Sequence, residues 1–147
     1  MSSIDQAHLQ RNDDGRAPLG RLRVGIDAVS VKAIESSLAD FGGRFCDRVF
    51  TPHEIAVANG PPDRLAARFA AKEAAIKAFD LAEVGVGLRE IELNTDGHGR
   101  PSLRFYGRAS ESVLALGATD ISVSLTHEKG LALAAVVALL ANDSAAQ

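Results

Sequence analysis

Apolar positions along the chain recur with two periods, and the changes between them mark out the elements. Leu22, Val24 and Ile26 alternate with other residues and predict a short strand over 22–26, which delivers Asp27 at its C-terminal end. Val29, Ala33, Ile34, Leu38 and Phe41 then recur at helical spacing until Gly42-Gly43. Thr51, Pro52 and Glu54 combine an N-cap, a first-turn proline and a capping-box carboxylate, so they open a short second helix that Asn59-Gly60-Pro61-Pro62 stops. Asp63 is placed to cap the longest helix, DRLAARFAAKEAAIKAF, which ends near Phe79 and is rich in residues that lose little entropy on becoming helical. Leu88 to Leu93 and Leu103 to Tyr106 flank a glycine-rich turn as a strand pair, and a helix follows from about Arg108 to Leu116. Ile121 to Thr126 and Leu131 to Leu139 form two further strands around the turn His127-Glu128-Lys129-Gly130. Helices and mostly antiparallel strands in non-alternating order predict an α+β fold, one small domain with a mainly antiparallel sheet packed against a long helix.

The 147 residues, 46% apolar and 24% charged, suffice for one core and leave little room for a second. That domain is expected over 21–141, with the aperiodic polar stretches 1–20 and 142–147 as a flexible leader and tail. A net charge of −3, the absence of Trp and a single Tyr argue against nucleic acid, so an anionic ligand must be held by a local constellation. Cys46 stands alone, which excludes an intrachain disulfide or a cysteine-based zinc site and fits a reducing compartment. The longest apolar run, Leu131 to Ala141, is about half of the roughly 20 residues that cross a bilayer, and the first residues lack the apolar centre of a signal peptide. A cytoplasmic protein without a membrane anchor is expected.

On the long helix Leu65, Phe69, Lys72, Glu73, Ile76 and Lys77 fall within one arc of roughly 140°, opposite a face of Ala70, Ala71, Ala74 and Ala75. Charges on an arc shared with Phe and Ile are costly unless they are paired or bind something. Taken alone, Glu73 and Lys77 also read as an i,i+4 pair on a solvated face, and Asp27 as the N-cap of the helix after it. Taken together, Asp27 and Glu73 beside amines form a set able to hold a hard divalent cation, which takes only one or two protein carboxylates when phosphate and water complete its shell. His127, at a strand end beside a turn, reads either as solvated or as a phosphate donor.

Four ordered segments, VGID ending at Asp27, RFCDRVFT, RFAAKEAAIKAF and SVSLTHEKGLALAAVV, resemble holo-[acyl-carrier-protein] synthase, the small single-domain branch of the 4'-phosphopantetheinyl transferases, across about Val24 to Leu139. The resemblance implies that family's fold and Mg²⁺-dependent transfer of 4'-phosphopantetheine from coenzyme A to a serine of apo-acyl carrier protein, a reaction of fatty acid and lipid metabolism. Asp27 and Glu73 then correspond to the Mg²⁺ ligands, with Lys77 as the phosphate clamp and third catalytic residue. Arg68, Lys72, Lys77 and His127 correspond to coenzyme A contacts, His127 reaching its ligand from a neighbouring subunit of a homotrimer. The group that takes the serine proton stays open between a water on the metal and Glu73.

The carrier protein is expected on Arg44, Arg48 and the helix after Asp27. That helix departs from the family, since it carries Lys32 as its only basic residue, with Glu35 and Asp40, and has Ala33 where an arginine is common. Ile76 replaces a residue that is often polar. Asp80-Leu81-Ala82-Glu83 replaces a short glycine-rich loop and sets two carboxylates near the expected phosphates. A coenzyme A-binding module of the same fold, without efficient transferase activity, is the alternative reading.

Overall fold

The structure is a computed structural model that describes residues 21–141; the expected leader 1–20 and tail 142–147 lie outside the described residues. Three antiparallel strands form the main sheet in the order β1 (Arg21–Ser30), β5 (Leu131–Leu140), β4 (Ala118–Glu128). The pleat sorts their side chains. Ala132, Ala134, Val136, Ala138 and Leu140 of β5 point inward and are buried, and Gly25 and Val29 of β1 share that face.

Against the inner face lies α4 (Pro62–Phe79). Between Leu65 and Phe79 every buried apolar position of this helix is alanine, and the resulting smooth face lets helix and sheet approach closely. At the crossing a Cβ added to Gly25 would lie 1.9 Å from the carbonyl oxygen of Ala74 and 2.7 Å from the amide of Ala78. Only glycine fits at a crossing this tight.

The remaining elements pack around this pair. They are α1 (Val31–Phe41), α2 (Gly43–Val49), α3 (Pro52–Ala58), the hairpin β2 (Ile91–Thr95) with β3 (Pro101–Phe105), and α5 (Gly107–Ala115). Phe50, Phe79, Leu81 and Ile91 fill the space between them, with the rings of Phe79 and Phe105 edge to face at 5.6 Å.

Several expected boundaries shift. The first strand continues through Val29 to Ser30, whose hydroxyl accepts from the Ala33 amide, so Ser30 and not Asp27 is the N-cap of α1. Pro61, without a side-chain cap, holds the N-cap position of α4, and Asp63 lies inside its first turn. Residues Leu88–Glu90 form a 3-10 turn, not strand, because the Glu90 carboxylate accepts from the Gly87 amide at 2.7 Å and from the Arg108 amide at 2.6 Å. The helix α2 was not expected at all. The last hairpin turns tightly on Lys129 and Gly130, both left-handed at φ 48° and 77°, so β4 runs on through His127 and Glu128.

Candidate active site

Where β1 crosses α4, three of the expected residues meet. The Lys77 ammonium donates to Asp27 Oδ1 at 2.8 Å and to the Ile26 carbonyl at 3.1 Å. Glu73 lies one helical turn before Lys77, half-buried and within the field of both partners. Burial pushes its carboxyl above the ordinary range, the Asp27 charge pushes the same way, and Lys77 only partly offsets them. The bond and charge of Asp27 hold the Lys77 ammonium above its usual value. The i,i+4 pair read from the sequence thus gives way to a pair between strand and helix.

Two carboxylates crowding one ammonium fit a hard divalent cation. Among the described residues no three His, Cys, Asp or Glu gather into a metal cage, so a cation held by Asp27 and Glu73 needs further oxygens from its ligand and water, which is how Mg²⁺ is usually held.

Lys72 does not join them. Its ammonium is fully buried 2.7 Å from Glu54 Oε2 and donates to the carbonyls of Leu88, at 2.9 Å, and Ile91; the Phe50 ring centroid is 5.8 Å away. Its three donors are spent inside the fold, so its expected place on coenzyme A phosphates is corrected. Burial pulls the ammonium below its usual value while the Glu54 charge and hydrogen bond pull it back up.

Arg68 is also largely buried. Its Nη1 donates to the Arg64 carbonyl at 3.0 Å, but its Nε has no partner. A buried donor left open is costly, and an anionic ligand would relieve it.

His127 stands apart. It pairs with Ala132 on β4, Asp27 pairs with Ala134 on β1, and β5 lies between, so the two residues sit on strands about 10 Å apart. The exposed imidazole lines a groove of about 310 Å³ with Asp63, Glu128 and Lys129. A second groove, of about 530 Å³, combines Arg44 and Arg48 with Phe41, Phe45, Val49 and Leu88.

The two carboxylates after α4 have different surroundings. Asp80 ends the helix in the left-handed conformation and pairs with Arg23 at 2.6 Å, so its charge is countered, whereas Glu83 is exposed. Gly25, whose missing side chain brings Asp27 onto α4, is not among the expected site residues, and Glu54 is expected only as a capping residue. The G-x-D spacing was a signal for the first; nothing local pointed to the partner of the second.

Comparison with known proteins shows the family of the chain. Residues 23–136 match the family described as the 4'-phosphopantetheinyl transferase superfamily. The holo-[acyl-carrier-protein] synthase of Dehalococcoides mccartyi strain 195 is 42% identical over 117 residues, 80% of this chain and 98% of that protein. The crystal structure of the Neisseria meningitidis synthase superposes with a TM-score of 0.67 at 37% identity, covering 79% of this chain and 96% of that one. The Helicobacter pylori synthase, solved in complex with coenzyme A, superposes with a TM-score of 0.69 at 28% identity, covering 78% and 98%. The chain belongs to the 4'-phosphopantetheinyl transferase superfamily.

Proposed function

We propose that this chain transfers the 4'-phosphopantetheine group of coenzyme A to a serine of apo-acyl carrier protein, releasing adenosine 3',5'-bisphosphate. The observation that carries this reading is the convergence of Asp27, Glu73 and Lys77 at the crossing of β1 and α4. The serine hydroxyl gives up its proton to Glu73 or to a water, its oxygen bonds to the β-phosphorus of coenzyme A, and the bond from that phosphorus to the bridging oxygen breaks with the electron pair staying on the bisphosphate. The leaving bisphosphate gathers negative charge, so the site must supply positive charge there.

Asp27 and Glu73 would hold Mg²⁺, which when bound neutralises pyrophosphate oxygens. The Lys77 ammonium, half-exposed at 54%, is long enough to turn from Asp27 to a phosphate oxygen. Arg68 offers its unpartnered Nε to a second coenzyme A phosphate. His127 serves a coenzyme A bound at a neighbouring subunit, since its strand position keeps it away from Asp27 of its own chain.

A homotrimer accounts for that division. Leu22, Val24 and Ile26 of β1 are 73%, 69% and 62% exposed in the single chain, and Val137 and Leu139, their neighbours on β5, extend the patch. An apolar sheet face of this kind calls for a protein partner. The acyl carrier protein docks on the groove of Arg44 and Arg48, where guanidinium groups flank Phe41 and Phe45 and suit an acidic partner with an apolar centre. The setting is cytoplasmic lipid synthesis; among the described residues no helix is long and apolar enough to cross a membrane.

The deciding experiment incubates the protein with coenzyme A, Mg²⁺ and a panel of apo-carriers from the same cell and follows each carrier by mass spectrometry. The expected result is a gain of one phosphopantetheine. Tight coenzyme A binding with no modified carrier would instead establish a binding module.

A further inference from the structure

The helix that carries Glu73 and Lys77 has a problem of rotation. Its fully buried apolar positions between Leu65 and Phe79 are all alanine, with Phe69 and Ile76 half-buried at the margin, and methyl groups make shallow ridges that resist rolling poorly. Side-chain tips lie about 5 Å from a helix axis, so a roll of about 20° moves a carboxylate by roughly 2 Å. Misplacements of about 1 Å can cost roughly a hundredfold in rate.

The residue beside Glu73 answers this problem. Lys72 points inward while Glu73 points toward β1, and each donor of the Lys72 ammonium is fixed to a different segment: Glu54 of α3, Leu88 of the 3-10 turn, and Ile91 of β2. Glu54 is held as firmly. Its Oε2 also accepts from the Thr51 amide at 2.9 Å, and its Oε1 accepts from the Leu93 amide at 2.9 Å. Thr51 extends the lock, its hydroxyl donating to Glu92 at 2.6 Å, and Glu92 in turn receives Tyr106 and Asn94 at 3.1 Å each.

Both ions of the pair are fully buried. A buried ion pair seldom stabilises more than apolar side chains of the same volume, so stability alone gives it little purpose; geometric fixation is what such a pair supplies and methyl groups do not. We propose that the buried Glu54–Lys72 pair is a positioning unit that locks the middle turn of α4 against α3 and β2, and thereby sets the place of the Glu73 carboxylate opposite Asp27. Neither residue touches the substrate; both act through Glu73. The inference rests on the proposed role of Asp27 and Glu73 as metal ligands.

The test measures Mn²⁺ affinity by electron paramagnetic resonance in the presence of coenzyme A, together with kcat, coenzyme A KM and thermal melting. The variants are Lys72→Met, Glu54→Gln and Lys72→Met/Glu54→Gln, with Asp27→Asn as reference. Each single variant should weaken Mn²⁺ binding about tenfold and lower kcat by a similar or larger factor, with coenzyme A KM within about threefold of wild type. The double variant should be no worse than the worse single, because the two residues act as one unit. Where a single variant fails to fold, the double, which leaves no charge buried alone, is judged by the same Mn²⁺ and kcat criteria.

Wild-type Mn²⁺ affinity and kcat in the folded double variant overturn the proposal, whatever its melting temperature. A raised coenzyme A KM for Lys72→Met but not for Glu54→Gln overturns it in favour of a phosphate contact. Mn²⁺ binding that survives Asp27→Asn overturns the metal assignment itself. Mn²⁺ binding lost there but intact in the double variant overturns the positioning unit alone.

Discussion

Lys77 is paired across the fold with Asp27, its ammonium 2.8 Å from Oδ1, and not with Glu73 one turn before it on its own helix. Strand β1 and helix α4 therefore meet through a polar contact at the point where the reaction is placed. Replacing Asp27 with Asn removes a charge proposed to hold the metal and leaves the residue's shape. Turnover should fall about a thousandfold. Because Asp27 is at the edge of the core and Lys77 is half-exposed, melting should change little. Steady-state transfer assays and thermal denaturation on the same preparation check both halves; a large fall in melting temperature would mark Asp27 as structural.

Gly25 governs the distance of that contact. A Cβ there would meet the backbone of Ala74 and Ala78, not a flexible side chain, so α4 itself must move. Gly25→Ala should cost about 3 kcal/mol, a drop of roughly 10 °C in melting temperature. Mn²⁺ affinity should weaken with it, since the displaced helix carries Glu73. Intact metal binding in a destabilised Gly25→Ala protein would separate the crossing from the site.

What was legible in the sequence follows how local each cause is. Thr51, Pro52 and Glu54 were read as a cap because capping bonds span three residues, and both halves of the capping box are present. The long helix and the final hairpin were read for the same reason. Helix α2 escapes the pattern because its seven residues, which begin at the second of two glycines, hold a single apolar i,i+4 pair, Phe45 and Val49. Val29 fits a helical series with Ala33 by spacing alone, yet its backbone pairs with Ala132 and stays in the sheet. Lys72 shows the limit most clearly. Periodicity puts it on one arc with Glu73 and Lys77, but Glu54, 18 positions earlier, and the carbonyls of Leu88 and Ile91 decide that it turns inward. No local pattern encodes those partners.

Arg44 and Arg48 should govern the encounter with the carrier and leave chemistry alone. Their groove shares no lining residue with the Asp27 cluster and is completed by Phe41, Phe45, Val49 and Leu88. Arg44→Ala and Arg48→Ala should each raise the carrier KM several-fold with kcat nearly unchanged, and the two together should flatten the salt dependence of kcat/KM. Initial rates across a salt series measure this. A fall in kcat with unchanged KM would move the docking surface elsewhere.

Glu90 sets an acid limit on the fold. The Gly87 and Arg108 amides bond its carboxylate and hold it below the ordinary carboxylate range. A carboxyl depressed in the folded state stabilises above its unfolded value, near about 4.3, and that contribution is lost as pH falls through the lower folded value. Glu90→Gln should therefore lower the urea midpoint at pH 7 and converge on wild type near pH 3. A gap of the same size at both pH values would mean that the amide bonds matter without the charge.

Glu73 has the opposite sign, and the metal proposed to bind there would link its stability to its function. Burial and Asp27 raise its carboxyl above the ordinary value. A group raised on folding contributes stability below its unfolded value and loses it as pH rises through the folded one, so in metal-free protein at pH 7 the Glu73 carboxyl is a cost. Glu73→Gln should then melt higher than wild type in the presence of a chelator, although turnover falls about a hundredfold or more. Adding Mg²⁺ with coenzyme A should reverse the order. Wild type gains melting temperature by ligand linkage, while the variant, short of one carboxylate, gains less. Calorimetric scans of both proteins, with chelator and with Mg²⁺ and coenzyme A, measure all four states. Equal gains in the two proteins would remove Glu73 from the metal site, and a lower chelator-state melting temperature for Glu73→Gln would show that its carboxylate stabilises the fold.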